Sequence, residues 1–422
     1  MTFFVSHLMN RSAKIQKARH FRFLRSVFWL GLTAFGGPQM HLPYFKRRLV
    51  DKQKFITHDE LIEINAFCSI LPGPSTTQTI TTIGFRLGGP ILAFFTLLLW
   101  ALPGALMMAI LALSPKFLAS EQLQNIEACV AGFLIYAVIS MFQWMKPTKL
   151  NIAIFLVGGI VGYLVRSPWI FPLGVVISAG LSAWLVKDNK PQKATFTKSI
   201  RWRNLTIFFA IFFAVGLTGL FLTKYKTESK ILKPLILFEN TYRMGALSFG
   251  GGNVLAAMTV EQYVDHKKRM TLEELNTGLG LIQAAPGPNF NLAVYTNSIA
   301  MKNNGSGFGG QLLGSLIGLI AVFMPGTLLV LFAYPIWEKL NNSVYLRRSI
   351  NGIFAISVGF ILTAALIINQ NFIVKISNYS NKSQLLTELA VCIVTVFMLM
   401  TKKIPTPFIV LFAIILGWLI PF

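Results

Sequence analysis

Two short motifs in this sequence have the makings of an anion site. Phe35-Gly36-Gly37-Pro38 is followed by Gln39 and, further on, by Pro72-Gly73-Pro74. Phe249-Gly250-Gly251-Gly252 is followed by Asn253 and then by Pro286-Gly287-Pro288. A helix that begins just after such a proline presents unpaired first-turn amides and the positive end of its dipole. Those are the features that receive an anion. Ser75, Thr76, Thr77 and Gln78 add neutral donors after Pro74; Asn289 and Asn291 do so after Pro288, with Gln283 just ahead. Such donors suit an anion held without a fixed cation. The plainer alternative is that each Pro-Gly-Pro only turns the chain, with Ser75 as a cap.

Other polar groups extend the candidate set. Arg86, twelve positions past Pro74, stands in an otherwise uncharged stretch and is either a fixed charge near the anion or a side chain reaching an interface. His41, close to the first Gly-Gly, has a charge that can follow pH. Glu127 and Glu239 lie in or beside apolar runs, where an acid is by default functional. His41, Glu127 and Glu239 are therefore the candidates for coupling to an ion. Asp51 and Asp265, set among basic residues, read as a loop motif or a helix start.

The elements that position these groups come in two copies. Phe35 to Phe249 is 214 positions, and Pro72 to Pro286 is again 214. The same register carries Val50-Asp51 onto Val264-Asp265, Lys54 onto Lys268, Thr57 onto Thr271 and Glu60-Leu61 onto Glu274-Leu275. Further on the offset drifts: Pro103-Gly104 matches Pro325-Gly326 at 222, and Gly132 matches Gly352 at 220. The glycine-rich stretch Asn303–Gly310 absorbs the difference as a loop. The chain is an internal duplication. The register also sets Thr77 on Asn291 and Ser75 on Asn289, so the two copies are expected to share one ligand.

Composition says where such a duplicated chain resides. It is 54% hydrophobic and 13% charged, with mean hydropathy +0.61. Continuous apolar runs of about 20 residues recur, each long enough to cross a bilayer as a helix. Alternation, the mark of a barrel, is absent. The net charge of +23 is read as basic loops beside membrane helices rather than as a nucleic-acid surface; it also favours anions nearby. Cys68, Cys129 and Cys392 form no CxxC and no Cys/His cluster, so neither disulfides nor a metal is indicated. No HExxH, GxSxG or Walker motif occurs, and the five histidines do not cluster. No cofactor and no enzymatic activity are expected.

Along the chain, a basic N-terminal segment precedes an uncleaved first helix, with the N-terminus expected in the cytoplasm. A Gly- and Pro-broken region follows, and then spans near Leu92–Leu113, Gln122–Trp144, Leu150–Val165 and Trp169–Val186. A basic linker leads to one extra apolar span, Leu205–Thr223. The second copy repeats the broken region and ends in spans near Leu312–Tyr334, Ile350–Ile368, Leu385–Met400 and Pro405–Phe422. Residues 1–187 are thus a first half, 188–230 the linker and connecting helix, and 231–422 a second half. One helix between two even-numbered halves would insert the second upside down. The expected fold is an all-α polytopic membrane protein of inverted repeats with broken or re-entrant helices.

Gly31-Leu-Thr-Ala-Phe-Gly-Gly-Pro38 with Leu71-Pro-Gly-Pro74 and Gln78 resembles the N-terminal half of the chromate ion transporter family. Gly245-Ala-Leu-Ser-Phe-Gly-Gly-Gly252 with Gln283-Ala-Ala-Pro-Gly-Pro288, Asn289 and Asn291 resembles its C-terminal half. The likeness spans nearly the whole chain, in its two-half form. The chain departs from the pattern at Asn253-Val-Leu-Ala-Ala-Met258, where an aromatic residue and a proline are expected, and at Asn303–Gly310. The resemblance implies export of chromate, with sulfate and related oxyanions as relatives, across the inner (plasma) membrane. Secondary transport by ion gradient or exchange is the leading reading; an anion channel is the second. Homo-oligomerisation is left open.

Overall fold

The computed structural model of the chain describes residues 2–114, 125–186 apart from 166 and 168, 232–340 apart from 249 and 250, 344–370 and 382–419, with Thr206, Ala210, Ala214 and Val215 in between. The expected linking helix, and with it the 188–230 boundary, falls outside the described residues except for those four positions.

The first half opens with α1 (Thr2–Thr33), much longer than the apolar run beginning at Phe23 implied. After the Gly-Gly break come α2 (Pro38–Phe45) and a π-helical segment, Lys46–Lys52. Helix α3 (His58–Ile70) leads into the first Pro-Gly-Pro, and α4 (Ser75–Ala112) leaves it. Helices α5 (Ile126–Trp144), α6 (Lys149–Val165) and α7 (Ile170–Leu185) follow. The second half repeats the order: α8 (Leu232–Leu247), α9 (Gly252–Thr259), a π segment Val260–His266, α10 (Leu272–Ala284), a 3-10 turn Asn289–Asn291, α11 (Leu292–Asn303) and α12 (Phe308–Leu340). It closes with α13 (Val344–Ile368), α14 (Lys382–Thr401) and α15 (Thr406–Leu419).

Most of the identities repeated between the motifs now have a structural reason. Thr57 and Thr271 cap α3 and α10, and each closes a full capping box with the glutamate three residues on, Glu60 or Glu274. Lys54 and Lys268 adopt left-handed backbone, with φ of 51° and 46°, where the π segment ends. Leu61 and Leu275 are fully buried.

The broken regions are re-entrant hairpins. Helix α4 folds back at Gly88-Gly89, where Gly89 has φ 74° and ψ −164°; its second limb returns so that Thr96 lies against Gly84 and Trp100 Nε1 donates to Thr77 Oγ1 at 3.1 Å. In the second half a true turn at Asn304–Gly307 separates α11 from α12. Arg86, near the end of the first limb of α4, pairs with Glu60 in the first turn of α3, so the two enter and leave by one face. Asn303 Nδ2 donates to Glu274 Oε2 at 2.9 Å and ties the second hairpin in the same way. Arg19 Nη2 donates to Phe55 O, and Phe23 packs edge-on against Phe55, so α1 and the π segment also share that outer face.

The two sets of hairpins enter from opposite faces. Helix α12 starts at the outer end of the second-half hairpin and ends with Tyr334 on Phe85 and Trp337 on Phe67 of the first half. Midway, Gly326 meets Gly73 and Pro74, while Gly104 on α4 meets Pro286. The repeats are therefore inverted. The outer helices exchange halves: α13 packs along α6 and α7, and α5 along α14. Gly162 admits Thr363, whose hydroxyl donates to Gly159 O at 3.1 Å.

Phe94, Ile110, Leu164, Trp184, Phe397 and Trp418 point outward and are exposed. An apolar surface of that extent belongs against lipid rather than water. Among the described residues, four helices are long and apolar enough to cross a bilayer, and four shorter helices are also apolar. The protein is a multi-pass helical membrane protein.

Candidate functional site

At the centre, the chain breaks of the two halves meet. Gly37 (φ 73°, ψ −167°) and Gly251 (φ 93°, ψ −165°) precede α2 and α9 in a backbone region that essentially only glycine occupies. Gly36, Gly73 and Gly287 also have positive φ. The chain can therefore stop, turn and start a helix inside the protein.

Two hydrogen bonds lock the halves together. The Gly73 amide donates to Ser248 O at 2.7 Å, and the Gly287 amide donates to Ala34 O at 2.9 Å. Both donor and acceptor are related by 214 positions, so each Pro-Gly-Pro is held by the end of the other half's first helix. The long helices add a second clasp. No side chain fits at Gly104, because its Cβ would collide with the Pro286 carbonyl. Gly326 packs against Pro74 and Gln78 from the other side, where a Cβ would lie 3.0 Å from the Gln78 amide and 3.2 Å from the Pro74 ring. The 222 offset between Pro103-Gly104 and Pro325-Gly326 was the signal in the sequence for this clasp, although not for its partners.

Helices α2, α4 and α9 and the 3-10 turn all begin at this meeting, and none has a side-chain cap. Pro38 and Gln39 open α2, and Asn253 is the second residue of α9. A small cavity between the starts is lined by Pro74, Ser75 and Thr76 from one half, by Gly251, Gly252, Pro288, Asn289 and Phe290 from the other, and by His41. Gly252 approaches Asn289 so closely that a Cβ would lie 2.6 Å from the asparagine Cβ. His41 is buried, with Nδ1 3.2 Å from Thr76 Oγ1 and its ring edge-on to Trp100. Its Nε2 faces the Gly287 backbone without an aligned hydrogen bond. The structure thus brings one coupling candidate to the broken segments.

Several expected residues are placed otherwise. Thr77 accepts from Trp100 and Asn291 Nδ2 donates to Ala101 O at 3.0 Å, so both face α4's second limb instead of sharing the central cavity. Gln78 Nε2 donates to Pro72 O at 2.7 Å and to Gly326 O at 3.3 Å, bracing the turn and the crossing helix. Helical rotation explains Thr77 and Asn291: each is two positions past the residue that opens its helix or turn, and so faces away from that residue. Arg86 sits about 16 Å along the helix from Ser75, partly exposed and paired with Glu60. Glu127 accepts from Asn276 Nδ2 at 3.0 Å where α5 meets α10. Glu239 is bound by Arg243 on its own helix at 3.0 Å. Neither acid is brought to the meeting. Pro72, Pro286 and Gln283 flank the turns, and Gly250 lies outside the described residues.

At the outer face, the Thr57 backbone amide, and after it the Arg86 guanidinium, hold the Glu60 carboxyl below its ordinary range.

A family model described as chromate transporter matches residues 21–184 and 235–418. The chain is 25% identical over 427 aligned positions to an uncharacterised transporter of Methanocaldococcus jannaschii, covering 98% of this chain and 99% of that one. It is 23% identical over 367 positions to a chromate transport protein of Pseudomonas aeruginosa, covering 81% and 78%. It is 23% identical over 403 positions to a chromate transport protein of Cupriavidus metallidurans, covering 92% and 90%. No solved structure gives a significant match.

Proposed function

The chain belongs to the chromate transporter family, and from that premise we propose that it is a secondary transporter exporting chromate or a related tetrahedral oxyanion such as sulfate. The observation that carries this reading is the convergence of three helix starts without side-chain caps, those of α4, α9 and the 3-10 turn, on one small cavity that His41 of α2 also lines. Amides at a helix start favour negative charge. Here Ser75, Thr76 and Asn289 stand beside them as neutral donors. An oxyanion held by amides and hydroxyls, with no fixed cation, is stabilised on arrival and still free to leave.

Driving force would come from an ion gradient or exchange, and His41 is the group we assign to proton linkage. It is buried, touches Thr76 and lines the cavity. A proton on its ring would add positive charge where the anion sits. The protein would lie in the plasma membrane with its basic N-terminal face inward.

Purified protein in liposomes tests this. Saturable chromate or sulfate exchange is the expected outcome. Fast conductance without exchange would make the protein a channel, and no oxyanion flux at all would end the reading. His41→Gln keeps a polar side chain without the titration; it is expected to flatten the pH dependence of transport while retaining oxyanion binding.

A further inference from the structure

The two halves share a fold but differ in what surrounds the meeting. On the first-half side a cavity of about 140 Å³ runs outward from Gly73, Ser75 and Thr76. Asn65 on α3 lines one wall and Ser357 on α13 another, and the 57%-exposed Trp144 stands at the end of α5. Ser75 and Thr76 line both this cavity and the central one, so the two adjoin. The inverted copy of this space is full. The 214 register carries Asn65 onto Leu279 and Thr76 onto Phe290; the 220 offset carries Phe354 onto Leu134 and Ser357 onto Ala137. All four counterparts are buried in one apolar cluster. Side chains, not conformation alone, leave one side hollow, with polar groups set in a largely apolar wall, and the other packed and apolar.

We infer that the hollow is the loading vestibule for the oxyanion, and that Leu134, Ala137, Leu279 and Phe290 form the seal against the opposite face. The inference rests on the oxyanion-transport reading and adds where the anion enters. Lys146 and Lys149 are exposed just beyond Trp144. The exposed Lys17, Arg19 and Arg22 lie on α1 by the outer face of the same hairpins, where Arg19 reaches Phe55. Positive charge around the mouth raises the local anion concentration, and this face, which carries the basic N-terminal segment, is the one we place in the cytoplasm. The uncharged polar groups on its walls, Asn65, Ser69, Ser75, Thr76 and Ser357, then pass the anion inward without trapping it. Across the centre, an apolar plug offers a dianion nothing to replace its water, which makes that direction impassable until the packing opens.

The test compares Asn65→Cys with Leu279→Cys, residues that the repeat superposes. Each is treated with a charged, membrane-impermeant methanethiosulfonate in inverted and right-side-out vesicles. The unsubstituted chain, whose Cys68, Cys129 and Cys392 are all buried, sets the baseline. Asn65→Cys is expected to react from the basic face about tenfold faster than Leu279→Cys from either face. Chromate or sulfate should slow that reaction, and complete modification should stop transport. Equal rates at the two positions, reaction from the opposite face, or undiminished transport after full modification would each overturn the vestibule. If Asn65→Cys does not reach the membrane, Ser357→Cys against Ala137→Cys poses the same question. Absence of chromate and sulfate transport in the unsubstituted protein would overturn the functional reading, while the contrast in labelling would survive it.

Discussion

Helices α3 and α10 begin at Thr57 and Thr271, each with a complete capping box. Helices α2, α4 and α9 begin at Pro38, Ser75 and Gly252 with no side-chain cap. The first pair starts at the outer faces, where Glu60 and Glu274 are tied to the far ends of their hairpins. The second set starts at the centre, in a membrane protein's interior. Water could satisfy an exposed helix start unaided, yet there the sequence supplies caps. In the interior, where an unmet amide costs most, it supplies none. On the proposed function, the amides left open are the ones that would meet the oxyanion.

The largest expected effect comes from removing the turns that make interior starts feasible. Gly37→Val or Gly251→Val places a β-branched residue in glycine-only backbone, at a cost of about 1–3 kcal/mol of strain. The strain falls at the junction of the halves, so transport should be abolished although protein reaches the membrane. Normal flux in either valine variant would break the comparison.

Ser75→Asp gives an interior start the acidic first turn of an exterior one. Helix α4 should gain up to about 1 kcal/mol from its dipole, while the carboxylate occupies the place of the anion. Losing a charged hydrogen-bonded contact of about 1.5–3 kcal/mol corresponds to tenfold or more in affinity. Sulfate or chromate binding that is unchanged in Ser75→Asp would mean that the open amides serve another purpose.

Phe290→Thr makes one interior start copy the other, since Thr76 holds the equivalent place. Sulfate leak without an exchange partner should rise severalfold in liposomes. A leak no greater than that of the parent protein would show that the seal lies elsewhere.

The smallest effects belong to the exterior caps. Thr57→Ala or Thr271→Ala should lower thermal stability by about 1 kcal/mol and leave the transport rate alone. The Glu60 carboxyl, held below its ordinary range, contributes at neutral pH and loses that contribution as pH falls through its lowered value. Arg86→Gln, which removes the guanidinium beside it, should therefore narrow the difference in stability between neutral and acidic pH.

Much of this was legible in the sequence because it is local. Proline and glycine at fixed spacing announced the breaks, Thr57 with Glu60 announced a helix start, and apolar runs announced the spans. The 214 register exposed the repeat before any contact was known. What stayed hidden depends on segments brought together by the fold. Arg86 looked like a lone charge because its partner, Glu60, lies 26 residues earlier and approaches only when α3 and α4 form a hairpin. Asn65 and Ser357 carry no motif, and their nearness across the cavity is set by α13 crossing into the first half. Thr77 and Asn291 aligned correctly, but the register gives equivalence, not the direction in which a side chain points.

The reciprocal bonds between Gly73 and Ser248 and between Gly287 and Ala34 also impose an order on biogenesis. When Gly73 leaves the ribosome, its acceptor has yet to be translated, 175 residues later along the chain. At about 5–20 residues per second, the wait is roughly 10–35 s. Ala34 waits longer still for Gly287. For that interval the nascent first half carries an interior turn with its hydrogen bond unmade, and it must keep that turn beside water or within the insertion machinery. The centre of this protein cannot close until synthesis has passed Gly287, well into its second half.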